Sequence, residues 1–266
     1  MKEIKDQINR VFTLTKTPTR IISLVPSQTE LLVDLGLEDN IVGITKFCIH
    51  PIHLRKTKTI VGGTKNIKID KIKELQPDII LCNKEENTKE IVEACEKIAP
   101  THVSNIYTID DAKELISLYG IMFSRRTEAT NIIQKLDFKL NNFKHFIKNT
   151  EEKKVAYFIW RKPWMVAANN TFINYLLELN KFNNIYNNKE RYPEVEIKKI
   201  RLEGDPDFIF LSSEPYPFKD EHAFELGRFT HHAKTVFVDG EMFSWYGSRL
   251  LKAFDYFKQL HKRIHR

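Results

Sequence analysis

The sequence predicts an α/β fold of two Rossmann-like lobes, each a parallel sheet with helices on both faces, joined by one long backbone helix. Three observations predict it. Two blocks recur at a distance. Leu32-Val33-Asp34-Leu35-Gly36, followed by Asn40-Ile41, returns as Leu176-Leu177-Glu178-Leu179-Asn180, followed by Asn184-Ile185. Leu75-Gln76-Pro77-Asp78-Ile79-Ile80-Leu81 returns as Gly204-Asp205-Pro206-Asp207-Phe208-Ile209-Phe210-Leu211. Each block reads as an amphipathic helix, a turn and a short apolar strand. The first half alternates β-α-β-α-β-α-β, the order of a mostly parallel sheet covered by helices. Finally, residues 127–149 hold no Gly or Pro, and their apolar residues (Ala129, Ile132, Ile133, Leu136, Leu140, Phe143, Ile147) fall mostly three or four apart. That is one stripe on a helix of about 23 residues, roughly 34 Å long. Its place between the two halves favours a connector over an ordinary surface helix. The expected organisation is a lobe over 1–123, the helix over 124–150 and a lobe over 151–266. Two lobes imply a cleft, and ligands bind in clefts.

The elements follow in order. Ile21 to Val25 is a buried-strand run that Pro26 stops, because proline cannot donate to the ladder. Ser27 or Thr29 can cap a helix that Gly36 ends. Ile41 to Ile44 is the next strand, Gly62-Gly63 a flexible loop, Ile69 to Leu75 a short helix and Asp78 to Cys82 a third strand. Asn87 opens a helix to Ile98, and Thr101 to Tyr107 is the fourth strand. In the second half Val155 to Trp160, Asp207 to Leu211 and Val236 to Val238 are strands. Thr171 to Leu179 and Tyr246 to His261 are helices.

Composition excludes several classes. Apolar residues make up 42% and charged residues 29%, a globular balance that can bury a core. The net charge of +7 permits an anionic partner, but Lys and Arg are scattered among Asp and Glu. Only residues 258–266 form a basic run, which reads as the wet end of a last helix, and no recognition motif accompanies it. No nucleic-acid partner is expected. Three cysteines without paired spacing argue against a disulfide framework and fit a reducing compartment. Met1 to Arg20 shows no apolar leader core, and no run approaches the roughly 18 apolar residues of a spanning helix. The chain therefore reads as a soluble monomer without membrane insertion, cytoplasmic as written, or periplasmic if it is a processed or truncated form.

A family resemblance enters at Arg20-Ile21-Ile22-Ser23-Leu24-Val25-Pro26-Ser27-Gln28-Thr29-Glu30, the loop 46–51 and the Pro-Asp step. It continues at Arg191-Tyr192-Pro193-Glu194-Val195 and at residues 239–249. Together these resemble the periplasmic substrate-binding proteins that deliver vitamin B12, haem and ferric siderophores to ABC importers, most nearly the B12-binding branch. The resemblance covers about Arg20 to Leu260. It implies a rigid two-lobed clamp that requires no cofactor, holds a metal-bearing small molecule and docks on an ABC permease. In that family each lobe offers one exposed glutamate to permease arginines. Glu86 or Glu90 could serve in the first lobe, and Glu241 is the nearest acid in the second, where the matching place is Ser244.

Ligands of open α/β sheets sit outside the carboxyl ends of the strands. That rule selects loops at Ser27, residues 46–50, Thr64, Asn83 to Asn87, residues 161–165, residues 214–218 and residues 241–246. They are rich in aromatic residues: Phe47, Trp160, Trp164, Tyr216, Phe218, Phe243, Trp245 and Tyr246. A corrin or porphyrin would stack on such faces, although core packing would use the same residues. His50 could ligate a haem iron or a cobalamin cobalt, with Cys48 adding a soft ligand, or it could be a turn residue. His53 follows close behind, and His231-His232 cannot easily share a metal on an extended chain. Arg161 and Arg249 could grip a propionate, phosphate or catecholate, or sit in ion pairs. Glu214-Pro215-Tyr216-Pro217-Phe218 is either a preformed binding edge or a spacer. No Gly-x-Ser-x-Gly, phosphate-cradling Gly-rich loop or His-Glu-x-x-His occurs, so no enzyme is proposed from motifs. A cytoplasmic enzyme or cofactor-handling protein on the same scaffold is the alternative reading.

Overall fold

The alternation read from the sequence builds two parallel sheets with helices against them. They are seen in a computed structural model that describes residues 2–264; Met1 and the last two residues of the basic run, His265 and Arg266, lie outside the described residues. Two compact units result: Met1–Asp137 with Trp245–Leu251, and Phe138–Ser244 with Lys252–Arg266.

The first unit opens with a hairpin, β1 (Lys2–Lys5) and β2 (Val11–Leu14). Then come β3 (Ile21–Ser23), α1 (Pro26–Asp34), β4 (Ile41–Ile44), α2 (Leu54–Thr57) and β5 (Thr59–Ile60). They are followed by α3 (Ile69–Glu74), β6 (Ile79–Asn83), α4 (Lys89–Glu96), β7 (Thr101–Ser104) and α5 (Ile109–Met122). The sheet runs β5-β4-β3-β6-β7, all parallel. Every residue of β3, β6 and β7 is buried, as expected of strands covered on both faces.

The long helix α6 (Arg126–Ile147) contributes residues to both units. The second unit continues with β8 (Lys153–Trp160), β9 (Met165–Val166), α7 (Phe172–Leu179), β10 (Phe182–Asn184) and α8 (Ile200–Glu203). It ends with β11 (Phe208–Ser212), α9 (Asp220–Gly227), β12 (Lys234–Val238), α10 (Gly240–Ser244) and α11 (Leu250–Ile264). The order β10-β8-β11-β12 is parallel, with β9 antiparallel on β8.

The echo in sequence has a structural cause. Asp78 donates its backbone N–H to Arg20 O at 2.8 Å, and its carboxylate accepts from Arg20 N at 3.0 Å. Asp207 does the same to Lys154, at 2.8 Å in each direction. In both sheets the Pro-Asp step thus fastens the start of an inner strand to its neighbour. Both repeated helices also end alike. Gly36 takes a left-handed φ of 73° behind α1, with Leu37 N bonded to Leu32 O and Gly36 N to Val33 O. Behind α7 the left-handed residue is Lys181, φ 61°, one place beyond the Asn180 that the sequence aligns with Gly36.

Several elements differ from expectation. The polar alternation of the first residues is the hairpin, with Ile4 and Leu14 turned inward. No helix was expected between Tyr107 and Thr127, yet α5 fills it, started by a capping box of Thr108 and Asp111 and buried along Ile109, Ala112, Leu115, Ile116 and Tyr119. The helix α1 begins at Pro26 without a side-chain cap, because proline suits the first turn; Ser27 and Thr29 are turned inward instead. The last helix starts at Leu250 rather than Tyr246.

Candidate functional site

In the first unit β3 is followed in sequence by β4 on one side and paired with β6 on the other, so the order reverses between β3 and β6. Ligands of such sheets lie at that switch point, beyond the carboxyl ends. There the structure gathers a neutral polar network. Gln28 Nε2 donates to Ser104 Oγ at 2.6 Å and to Tyr246 OH at 3.1 Å, while Tyr119 OH donates to Gln28 Oε1 at 2.6 Å. Asn83 Nδ2 donates to Ser104 Oγ at 2.9 Å, and its Oδ1 accepts from Glu85 N and Glu86 N. Asn87 closes the loop, accepting from Asn83 N and donating to Thr64 O at 2.9 Å. Burial drives the Tyr246 phenol far above its ordinary range, although bonds to Ser104, Gln28 and Ser27 work the other way. It therefore stays protonated, able to donate.

Beside this network Glu86 is half-buried, its carboxyl raised by burial while Lys65 and a hydrogen bond with Thr64 oppose the rise. Its charge acts on both Tyr246 and Cys48. Cys48 is fully buried, and its Sγ lies 3.1 Å from Thr29 Oγ1 and 3.3 Å from Thr45 Oγ1. Burial pushes that thiol up despite the two hydroxyls, so it offers no accessible thiolate to a metal. Phe47 is exposed at 49%, with Lys46 Nζ 4.9 Å from its ring centroid. His50 stands edge-on to Trp245 at 5.5 Å, and Arg249 lies 4.9 Å over the same indole. Arg249 Nε donates to Glu30 Oε2 at 2.7 Å, with both side chains almost wholly buried. That ion pair is internal rather than on a helix surface.

In the second unit the order reverses between β8 and β11, and an aromatic wall stands there. Trp160 meets Tyr216 edge-on at 5.5 Å, and Trp164 stacks on Phe218 at 5.9 Å with planes 7° apart. His222 packs edge-on to Trp164, Tyr216 and Phe218. Its Nδ1 accepts from Lys219 N at 2.8 Å, and its Nε2 lies 3.2 Å from Tyr216 OH. The imidazole thereby fixes the strap 214–218 from behind. Glu214 is anchored by Ser244 Oγ, which donates to its Oε1 at 2.8 Å. Gly240 permits that approach, since a Cβ there would lie 2.6 Å from Glu214 Cγ. Arg161 reaches Glu225 Oε2 through Nε at 3.0 Å and Nη2 at 2.7 Å.

The sequence-selected residues therefore fall into two groups, each within its own unit. Ser27, Thr64, Asn83, Tyr246 and Glu86 meet around one network, with Phe47, Cys48, His50, Trp245 and Arg249 beside it. Trp160, Arg161, Trp164, Glu214, Tyr216 and Phe218 meet in the second. Phe243 does not join them; it is fully buried against Tyr157 and Phe257. Glu90 is exposed on the first turn of α4, and Glu241 occupies the first turn of α10. His53 pairs with Glu38 at 2.6 Å, and His232 faces Asp205 and Asp207. Among the described residues no three His, Cys, Asp or Glu converge as metal ligands. Sequence reasoning missed Gln28, Ser104, Tyr119, Glu30, Glu225 and His222. Only His222, trailing the proline-bracketed strap, left a local signal.

The family model described as "Periplasmic binding protein" matches residues 21–229. An ABC transporter substrate-binding lipoprotein of Bacillus subtilis is 29% identical over 150 residues, 56% of this chain and 46% of that one. The chain thus spans about half that relative's length. A vitamin B12-binding protein of Pectobacterium atrosepticum is 23% identical over 244 residues, 89% of this chain and 86% of that one. The solved structure of a periplasmic haem-binding protein from Pseudomonas aeruginosa superposes with a TM-score of 0.78 at 18% identity, over 91% of this chain and 92% of that one. At that identity the likeness shows the fold alone.

These relatives overturn the cytoplasmic address. They are a lipoprotein and a periplasmic protein, which points outside the cytoplasm. The address rested on the polar first residues and on the unpaired cysteines; the former build the β1–β2 hairpin and the latter are buried free thiols, so both patterns answer to folding rather than to compartment. A cytoplasmic enzyme on this scaffold is likewise unsupported. No helix among the described residues is long and apolar enough to cross a membrane.

Proposed function

The chain belongs to the periplasmic binding protein family, and on that premise we propose that it is a non-catalytic solute-binding protein of an ABC importer. Its ligand is a large metal-bearing molecule, cobalamin or another corrinoid first and haem or a ferric siderophore next. The carrying observation is the match of the family model across most of the chain. The aromatic wall Trp160–Tyr216–Phe218–Trp164 supports it, because it stands where a sheet of this order holds ligands and suits the face of a macrocycle. In the first unit the amide and hydroxyl groups around Tyr246 suit a ligand rich in amide side chains.

A preformed site of this kind limits the ordering cost of binding. The wall is braced by His222, and the first-unit loops by Asn83 and Asn87. The protein works as a monomer that hands its ligand to a permease, with exposed Glu90 and the half-buried Glu86 and Glu241 as the candidate docking acids. Within this reading His50, beside Trp245, is the imidazole that would approach a bound metal from the first unit.

Native mass spectrometry of protein purified from its own cells tests the function directly. A copurifying corrinoid, haem or ferric chelate is expected. A metal-free solute in its place, such as a sugar or an amino acid, overturns the ligand class.

A further inference from the structure

We infer that the β5 edge of the first sheet is a docking surface for an anionic lipid bilayer, and that the chain rests there against a membrane without crossing it. The charge of the chain is concentrated at this edge. Residues 55–74 hold seven basic residues and two acidic ones, and so carry five of the seven net positive charges. Neutral residues separate them, which is why they read as scattered along the chain. Folding gathers them around β5, the edge strand. The helix α2 leads into β5 and α3 follows it, with Lys68 N bonded to Val61 O at 2.7 Å. From Lys58 to Val61 an extended chain spans only about 10 Å, so the end of α2 and the start of α3 lie close together.

These cations face water without acids to pair with. Arg55, Lys56, Lys65, Lys68, Lys71 and Lys73 are all exposed, and the last two flank Ile72, the residue by which α3 enters the core. Among the described residues none of the six forms an ion pair, and Lys65 donates to Glu85 O. Lysines elsewhere on the surface do find acids, Lys153 with Glu151 at 3.2 Å and Lys199 with Glu196 at 2.8 Å. Glu38, which reaches the turn that starts α2, is taken by His53 at 2.6 Å. A field of one sign left uncompensated repels itself and favours a partner of the opposite charge.

The chemistry of that partner follows from what stands among the charges. Ile52 is 65% exposed, and Arg55 N bonds to Ile52 O. Ile52, Arg55 and Lys56 thus occupy one turn, three and four positions apart, and share a side. Leu54 turns inward and is buried. An apolar side chain amid cations suits the boundary of a bilayer, where the cations meet lipid phosphate and the hydrocarbon dips below it. A soluble polyanion would use the cations and leave Ile52 idle. Relatives that point outside the cytoplasm put the outer face of a membrane within reach.

The test is cosedimentation of the full chain with vesicles of phosphatidylglycerol and phosphatidylcholine, mixed equally, in about 50 mM salt. Binding to these, none to phosphatidylcholine alone, and release in about 0.5 M salt are expected. Each basic residue at an anionic surface strengthens binding about fivefold, so a variant with Arg55→Gln, Lys56→Gln and Lys68→Gln should bind on the order of a hundredfold more weakly. A second variant, Lys144→Gln, Lys148→Gln and Lys262→Gln, removes the same charge from exposed positions elsewhere and should stay within about twofold of the unaltered chain. Ile52→Ser should weaken binding about threefold or more. Equal losses in the two charge variants, equal binding to phosphatidylcholine, unchanged affinity of Ile52→Ser, or complete displacement by a soluble glycerol-phosphate polymer at equal phosphate would each overturn the inference. None of the substituted residues belongs to the proposed ligand sites, so the inference can fail while the proposed function stands.

Discussion

Glu30 and Arg249 form a pair whose value can be worked from their burial. With side chains 6% and 5% exposed and a 2.7 Å contact, neither charge has access to solvent once its partner is gone. Removing one side of such a pair costs about 3–5 kcal/mol, against roughly 0.2–1 kcal/mol for an exposed pair. Set against a total stability of about 5–15 kcal/mol, that is a large share. Glu30→Leu and Arg249→Met should each fall in the higher range. Arg249→Met also loses its place over Trp245, worth about 0.5–2 kcal/mol, so it should be the worse of the two. The double variant places two apolar side chains together and should lose less than either single change. Urea unfolding followed by circular dichroism, at constant m-value, reads all four corners of the cycle. Single losses below about 1 kcal/mol that simply add would refute the reasoning, because the pair would then be behaving as if solvated.

Three other outcomes are expected. His102 is fully buried beside Tyr119 and Phe12, and burial, aided by Arg10 and opposed by Asp6, lowers its folded pKa to about 4. A depressed folded value means the stability is complete above the unfolded value of about 6.5 and is lost as pH falls from there toward 4, about 3 kcal/mol in all. His102→Phe should flatten that part of the stability–pH curve, and an unchanged slope would count against it. Gly240→Ala should cost about 1–3 kcal/mol and loosen Glu214, read as a lower melting temperature; an unchanged melt would show that Glu214 yields freely. His222→Phe keeps a ring but loses both hydrogen bonds, so the Lys219 amide should exchange faster with deuterium while the melting temperature drops by only a few degrees. Unchanged exchange would mean the strap holds itself.

Much of the fold was legible because its causes are local. The stripe from Ala129 to Ile147 is α6 to within a few residues, since a helix in water declares its buried face every three or four positions. The Pro-Asp steps were visible as a repeat, and their meaning, one strand start fastened to the next, appears only when Arg20 and Lys154 come alongside. Elements without a periodic signature were missed. The strand β10 is three residues long, and the hairpin of β1 and β2 buries only one residue in each strand, Ile4 and Leu14. The rule that ligands sit at strand ends named Tyr246, Trp164 and Tyr216 from order alone.

What the rule could not supply was the partner of each. Glu30 lies 219 positions from Arg249, and Gln28 lies 218 from Tyr246. Composition and periodicity therefore determined two α/β halves, a long helix and the ends where aromatic residues collect. Only tertiary structure decided that both arginines are already paired and that a neutral network waits beside Glu86. Charge pairing depends on distance in space, and nothing in local sequence records it.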